Sequence, residues 1–369
     1  MLRRVFAVLL LCAVGTAQTR APKVTSDTPK TTPPIFEINL SEVSEYGSMP
    51  WAKDWPDPHQ GYCSGDGSLY VWRWPPGQGL AGFTPKGIVT FLASQMTDIP
   101  TPSAHGAFIS ESAVYVGADS IENPEQQVET LEDEEGHKLT LRRTTGKRHQ
   151  YIARFDKDGT YKGVIKLDLP FYVYTFAAFG SGTLVAQGMD ENEIPRIALL
   201  DSSGQLIRYL QLEKDMTAVS EVPKKELNYG GGSADPGAIV MDSRFIPSQT
   251  GILFLRSLAS MRVYEIQESG EVRAVKIKPP EGYDVEELIT SDRNWLVRFR
   301  RPNPNGVWSD AEHSLFEVDP KNGDLLGEYR VKAPDTGVSC FFDNEFWALR
   351  NKDGKLTVAR GVAEPHRGK

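Results

Sequence analysis

The sequence predicts an all-β fold, a six-bladed β-propeller of four-stranded antiparallel blades. Three observations carry this expectation. Short apolar runs with period-two alternation fill the chain from residue 35 onward, with no amphipathic helical stretch of any length. A hairpin signature of apolar run, a turn like acid-x-x-Gly and apolar run returns through QYIARFDKDGTYKGVIKLDL (150–169), RIALLDSSGQLIRYLQL (196–212), MRVYEIQESGEVRAVKIK (261–278), where Gln267 replaces the acid and the glycine stays, and HSLFEVDPKNGDLLGEYRV (313–331). Glycine (33) and proline (25) are numerous enough to turn the chain between so many strands.

The chain opens with MLRRVFAVLLLCAVGTAQ. Arg3 and Arg4, the apolar stretch Val5 to Val14 and the small residues Gly15-Thr16-Ala17 read as a signal peptide over 1–17, too short to span a bilayer. Leu11 before Cys12 speaks against a lipoprotein signal, and two arginines are ordinary charge for such a leader. The expected location is secreted or periplasmic, with no transmembrane segment in the mature protein. Residues 18–34, rich in Thr, Pro and Lys, form a spacer that cannot bury a core.

The propeller is expected over 35–363, with a tail at 364–369. Blades fall at about 59–100, 103–169, 171–212, 236–278, 282–331 and 337–362. The cleanest is YVYTFAAF, Gly180-Ser181-Gly182, TLVAQG, a loop, RIALLD, the Ser-Ser-Gly turn and QLIRYLQL. The first and last blades show only three runs each. IFEINL (35–40) lacks a local partner, so it is expected to close the ring as the outer strand of the last blade. A β-sandwich is the alternative, and the lone N-terminal strand and four-strand grammar argue against it.

This grammar resembles the NHL-repeat-like six-bladed β-propellers. The likeness covers nearly the whole mature chain and is one of architecture and turn pattern. Gluconolactonase-like propellers hold a metal with carboxylates and an Asn projecting into the channel. Here the inner strands FAAF and SCFF are apolar, against that activity.

Removing 1–17 with its two arginines leaves 39 basic against 49 acidic residues, a net charge of −10. That balance, with no basic stripe interleaved with aromatics, excludes nucleic acid as the expected partner. Two cysteines remain, Cys63 and Cys340, each six residues before the start of its next apolar run, on the inner strands of the first and sixth blades. Adjacency favours a disulfide, whereas rotational equivalence would turn one cysteine away from the other. Both alternatives stand.

Loops from second to third strand and from blade to blade open on one face, and they hold almost every long segment. Turns on the opposite face are nearly all short, so the long-loop face is where binding is expected. Trp51, Trp55 and Trp74 lie in its loops, as do Tyr229 and Trp308, where aromatic side chains either build a platform or cap blade cores. His59 and His105 precede inner strands near the channel mouth. Arg298 and Arg300 share one side of a strand end near Trp308, suited either to fork a carboxylate or to pair with neighbouring acids. These nine residues are the candidate ligand-binding set. The insertion 119–150 suggests a projecting hairpin with acids on its first arm and bases on its second, a solvated ribbon or a docking arm.

The six histidines show no zinc spacing and no G-x-S-x-G elbow is present, so no cofactor is expected. Asp190-Glu191-Asn192-Glu193 could offer oxygens to calcium but lacks the order of a calcium loop. The function expected is an exported binding module for a protein, peptide or glycan. The alternative is a metal-assisted hydrolase or lyase with its site over the channel.

Overall fold

A computed structural model describes residues 33–50, 61–64, 66–73, 77–132, 138–212, 243–248, 251–256, 261–290, 295–301, 312–331, 338–342 and 345–365. Two strands open it, β1 (Ile35–Ile38) and β2 (Glu42–Ser48). Blade 1 is β3 (Gly61–Cys63), β4 (Leu69–Trp72), β5 (Gly79–Thr84) and β6 (Gly87–Leu92). Blade 2 is β7 (Ser103–Ile109), β8 (Ala113–Glu132), β9 (Lys138–Asp156) and β10 (Tyr161–Leu167). Blade 3 is β11 (Tyr172–Ala178), β12 (Leu184–Met189), β13 (Pro195–Leu200) and β14 (Leu206–Tyr209). Blade 4 is β15 (Arg244–Ser248), β16 (Gly251–Arg256), β17 (Met261–Ile266) and β18 (Val272–Ile277). Blade 5 is β19 (Asp284–Thr290), β20 (Trp295–Arg301), β21 (Glu312–Val318) and β22 (Leu325–Val331). Blade 6 takes β23 (Cys340–Phe342), β24 (Glu345–Lys352) and β25 (Lys355–Gly361) from the C-terminal end, and a short β26 (Ala363–Pro365) follows. Among the described residues no helix is long and apolar enough to cross a membrane.

Each blade is an antiparallel meander, and the six form the expected ring. Two details differ from expectation. Residues 79–84 are the third strand of blade 1, which shows only three runs in sequence because Gly79 and Gly82 dilute the apolar alternation of this one. The strand that completes blade 6 is β2, paired antiparallel with β25 from Glu42↔Arg360 to Ser48↔Lys355, and not 35–40. Only Tyr46 and the following Met49 pack into the core there, while Val43 is exposed, so this outer strand looks polar in sequence.

The recurring acid-x-x-Gly turn does two things. Within a blade it closes the hairpin: Gly204 N–H donates to Asp201 O, and Asp201 Oδ1 accepts from the N–H groups of Ser203 and Gln205 at 2.9 and 3.0 Å. Between blades it is a contact point. Gly159, Gly204, Gly270 and Gly323 all have left-handed φ of 77–87°, and each lies against the outer strand of the preceding blade. Gly159 faces Val89 and Thr90, Gly204 faces Ile165 and Lys166, Gly270 faces Arg208, and Gly323 faces Lys276. Gly323→Ala should cost about 1–2 kcal/mol from its left-handed backbone alone. The loss should be larger because a Cβ there would lie 2.5 Å from the Lys276 carbonyl oxygen. Gly182→Ala, with left-handed φ but a nearest contact of 3.4 Å, supplies the backbone share for comparison in urea unfolding. Equal losses in the two variants would contradict the inter-blade role.

Blade 6 has no such turn, because its third and fourth strands come from opposite ends of the chain. Both ends instead cross to blade 5. There β1 runs parallel to β22 from Ile35↔Glu328 to Ile38↔Val331, and β26 pairs antiparallel with β1. Phe36 stacks on Tyr329 with centroids 5.0 Å apart. The chain ends therefore reproduce, by strand addition, the inter-blade contact that the glycine turns make elsewhere.

On the inner side the ring is closed by a disulfide between Cys63 and Cys340, with Cα atoms 5.9 Å apart. The two are not rotationally equivalent. Cys63 occupies the last rung before its turn, opposite Leu69, whereas Cys340 lies two rungs earlier, opposite Trp347.

One buried polar side chain stands apart from the rest of the core. Gln187, in β12, is fully buried, and neither amide atom has a hydrogen-bond partner among the described residues. Gln187→Met keeps the length of the side chain and removes two unsatisfied groups. It should raise stability by about 1–2 kcal/mol, read as a higher urea midpoint at unchanged slope. A lower midpoint would contradict this.

Candidate functional site

Blades 2 and 3 meet at the end of their inner strands that faces the long-loop side. There β7 carries His105 and β8 carries Asp119, while β9 returns with Arg148 and Gln150 and β11 begins with Tyr172 and Tyr174. Gln150 fastens the two blades together. Its amide nitrogen donates to Val173 O at 2.9 Å and its carbonyl accepts from Val173 N–H at 2.7 Å. A bulge in β7 between His105 and Ala107 places the imidazole over Gly117, the residue opposite it, where a side chain would collide with the ring.

Asp119 is the hub. Tyr172 donates its hydroxyl to Oδ2 at 2.6 Å. His105 Nε2 lies 3.2 Å from Oδ1, near enough for charge attraction though off the line of a well-aligned hydrogen bond. Arg148 Nη1 donates to the Tyr172 hydroxyl at 3.3 Å, and its guanidinium stands 5.3 Å from that ring's centroid. Tyr174 meets Tyr172 edge-on with centroids 5.0 Å apart. Burial opposes ionisation of Asp119, but His105, Tyr172 and Arg148 together outweigh it and hold the carboxyl below its ordinary range. Burial and the same carboxylate push the Tyr172 hydroxyl up to about 12, so it stays a donor at neutral pH.

Beyond Asp119, β8 and β9 leave the blade as a two-stranded ribbon paired as far as Glu132↔Lys138. The departure is marked by a bulge between Glu122 and Glu125, with Asn123 at φ 51°. His149 pairs with Glu122 at 3.1 Å. The Arg148–Tyr172–Tyr174 group therefore lies at the foot of the ribbon.

Of the candidates expected from sequence, Trp51, Trp55, His59, Trp74, Tyr229 and Trp308 lie outside the described residues. His105 belongs to the cluster just described. Arg298 lies elsewhere, on β20, where it donates to Val338 O of blade 6 at 3.0 Å and pairs with Glu287 of β19. Glu287 also pairs with Arg244 of blade 4 at 2.7 Å, so Arg298 belongs to an ion-pair link between blades 4 and 5 that its hydrogen bond to Val338 extends to blade 6. Arg300 stands two residues along the same strand, opposite His313 and Asp284. Asp190 holds its own loop: Oδ1 accepts from Asn192 and Ile194 N–H, and Oδ2 accepts both Nε and Nη2 of Arg196.

Sequence reasoning missed Asp119, Arg148, Tyr172 and Tyr174. One signal was present: the alternate tyrosines of YVYTF open an inner strand, and Asp119 and Arg148 bracket the insertion. What joins them is the packing of adjacent blades, which no local spacing encodes.

No family model matches the chain, and no curated protein matches its sequence. Among solved structures it is similar to Porphyromonas gingivalis dipeptidyl peptidase 4, at 10% identity over 72% of this chain and 38% of that one, with a TM-score of 0.36. It is also similar to the β-propeller domain of the Trilobed protease from Pyrococcus furiosus, at 12% identity over 72% of this chain and 84% of that one, TM-score 0.33. A third likeness is to YCF48 bound to D1 peptide, at 10% identity over 92% of this chain and all of that one, TM-score 0.40. At such identities and scores, function is left to be read from this chain's own residues.

Proposed function

We propose that the protein is an exported binding module that takes a protein, peptide or glycan ligand on its long-loop face. The observation that carries this is the cluster of Arg148, Tyr172, Tyr174 and His105 around the buried side of Asp119. Tyr and Arg are among the side chains that most often dominate binding energy, Tyr by covering a large area with few rotatable bonds and Arg by its planar fork of donors. Here they are held in place by hydrogen bonds and ring contacts while Tyr174 stays 39% exposed and the Arg148 side chain 49%. The leader at 1–17 supports export, and the ribbon beside the cluster offers further contact area.

The test is a peptide and glycan array probed with the mature protein. Tyr174→Ala should weaken binding about tenfold or more, the loss expected of a central aromatic contact. Lys321→Ala, in a turn on the opposite face, should leave it unchanged. The reverse pattern would move the binding surface to the short-turn face.

A further inference from the structure

Resting on that reading, we infer that the patch takes a carboxylate group of its ligand on the free edge of the Arg148 guanidinium. Among the described residues, Arg148 spends only one nitrogen on the protein. Nη1 donates to the Tyr172 hydroxyl and lies 3.7 Å from Asp119 Oδ2, while Nε and Nη2 make no contact of their own there. The guanidinium carbon stands 5.3 Å from the Tyr172 ring centroid and Nη1 is engaged by the hydroxyl, so the Nε–Nη2 edge is left as a fork for a planar, bidentate acceptor. Asp119 meets the guanidinium only on its Nη1 side, and its oxygens otherwise engage Tyr172 and His105.

The surrounding charge decides between anions. Lys147 and Lys166 act on Glu122, which also pairs with His149. Arg148 thus stands beside Asp119, with Glu122, His149 and two lysines next to it, a field of mixed sign. A monoanion adds the least repulsion to it. A phosphate dianion would bring its second negative charge against Asp119 and Glu122. Beside the fork, Tyr174 offers a part-exposed ring edge-on to Tyr172. The ligand group is therefore a carboxylate carried on a ring or an apolar stem, either a peptide acid or a sugar acid.

The probe pair is benzoate and benzamide, alike in shape and different in charge, followed through tyrosine ring signals in NMR spectra of the intact mature protein. Benzoate should bind in the millimolar range and benzamide about tenfold more weakly, the worth of one charge-assisted hydrogen bond. Arg148→Gln should abolish the preference, Arg148→Lys should keep part of it, and inorganic phosphate should not compete. Oligogalacturonate against its methyl ester, and free-acid peptides against their amides, then separate the two sources. Equal binding of benzoate and benzamide, no benzoate binding, or an unchanged preference in Arg148→Gln would each overturn the inference. If both probes bind and Tyr174→Ala removes both, the surface stands and the carboxylate assignment alone falls.

Discussion

Replacing both Cys63 and Cys340 by alanine is expected to lower stability by about 4 kcal/mol, the largest single loss this fold should show. The two residues are 277 positions apart, so the bond removes a very large loop from the freedom of the unfolded chain. Alanine is the better probe than serine. Cys340 is fully buried among Met49, Leu69, Val71 and Trp347, where a hydroxyl would add an unsatisfied polar group. The ring should still form, because β2 completes blade 6 and β1 with β26 bind blade 5. Urea unfolding of the oxidised protein and the double variant should therefore show a shifted midpoint with near-native circular dichroism before the transition. A double variant within about 1 kcal/mol of the parent would mean the outer strands alone close the ring.

Glu287→Ala should cost about 1–2 kcal/mol, between the worth of an exposed ion pair and the loss from breaking a fully buried one. Glu287 stands between Arg244 and Arg298, and its side chain is 25% exposed against 16% for Arg298. Its removal takes away the counter-charge shared by Arg298, which is largely buried, and Arg244, which is 41% exposed. Arg298 would keep its bond to Val338 O, and Arg244 its bond to Leu288 O at 2.9 Å, but neither carbonyl cancels a full charge. Glu287→Gln, which still accepts a hydrogen bond but carries no charge, should lose less. The same unfolding curves read both variants. A loss under about 0.5 kcal/mol in Glu287→Ala would show that the triad is solvated and contributes little.

How much of the fold was legible in the sequence depends on how local each signal is. The hairpins at Asp156–Gly159, Asp201–Gly204, Gln267–Gly270 and Asp319–Gly323 were readable because turn chemistry is written within a few residues. β5 was not, since two glycines in six residues erase the apolar alternation of Gly79–Thr84. β2 was hidden for a different reason: an outer strand buries one side only, and EVSEYGS presents little more than Tyr46 to the core. The cysteine alternatives needed the register, which sets Cys63 and Cys340 two rungs apart along their hairpins. At the site, His105 was found from its place before an inner strand, but its partners Asp119, Arg148 and Tyr172 come from three further strands of two blades. Arg298 was found for its fork, which the fold turns on Glu287 instead.

The measurement closest to the central claim is hydrogen exchange of residues 18–369 with and without the ligand that the arrays identify. Binding at the foot of the ribbon should slow exchange in segments 103–109, 117–122, 146–150 and 172–176, and leave the turns at 156–160, 201–205 and 319–324 unchanged. Protection confined to those turns, with none around Arg148 and Tyr174, would contradict the account.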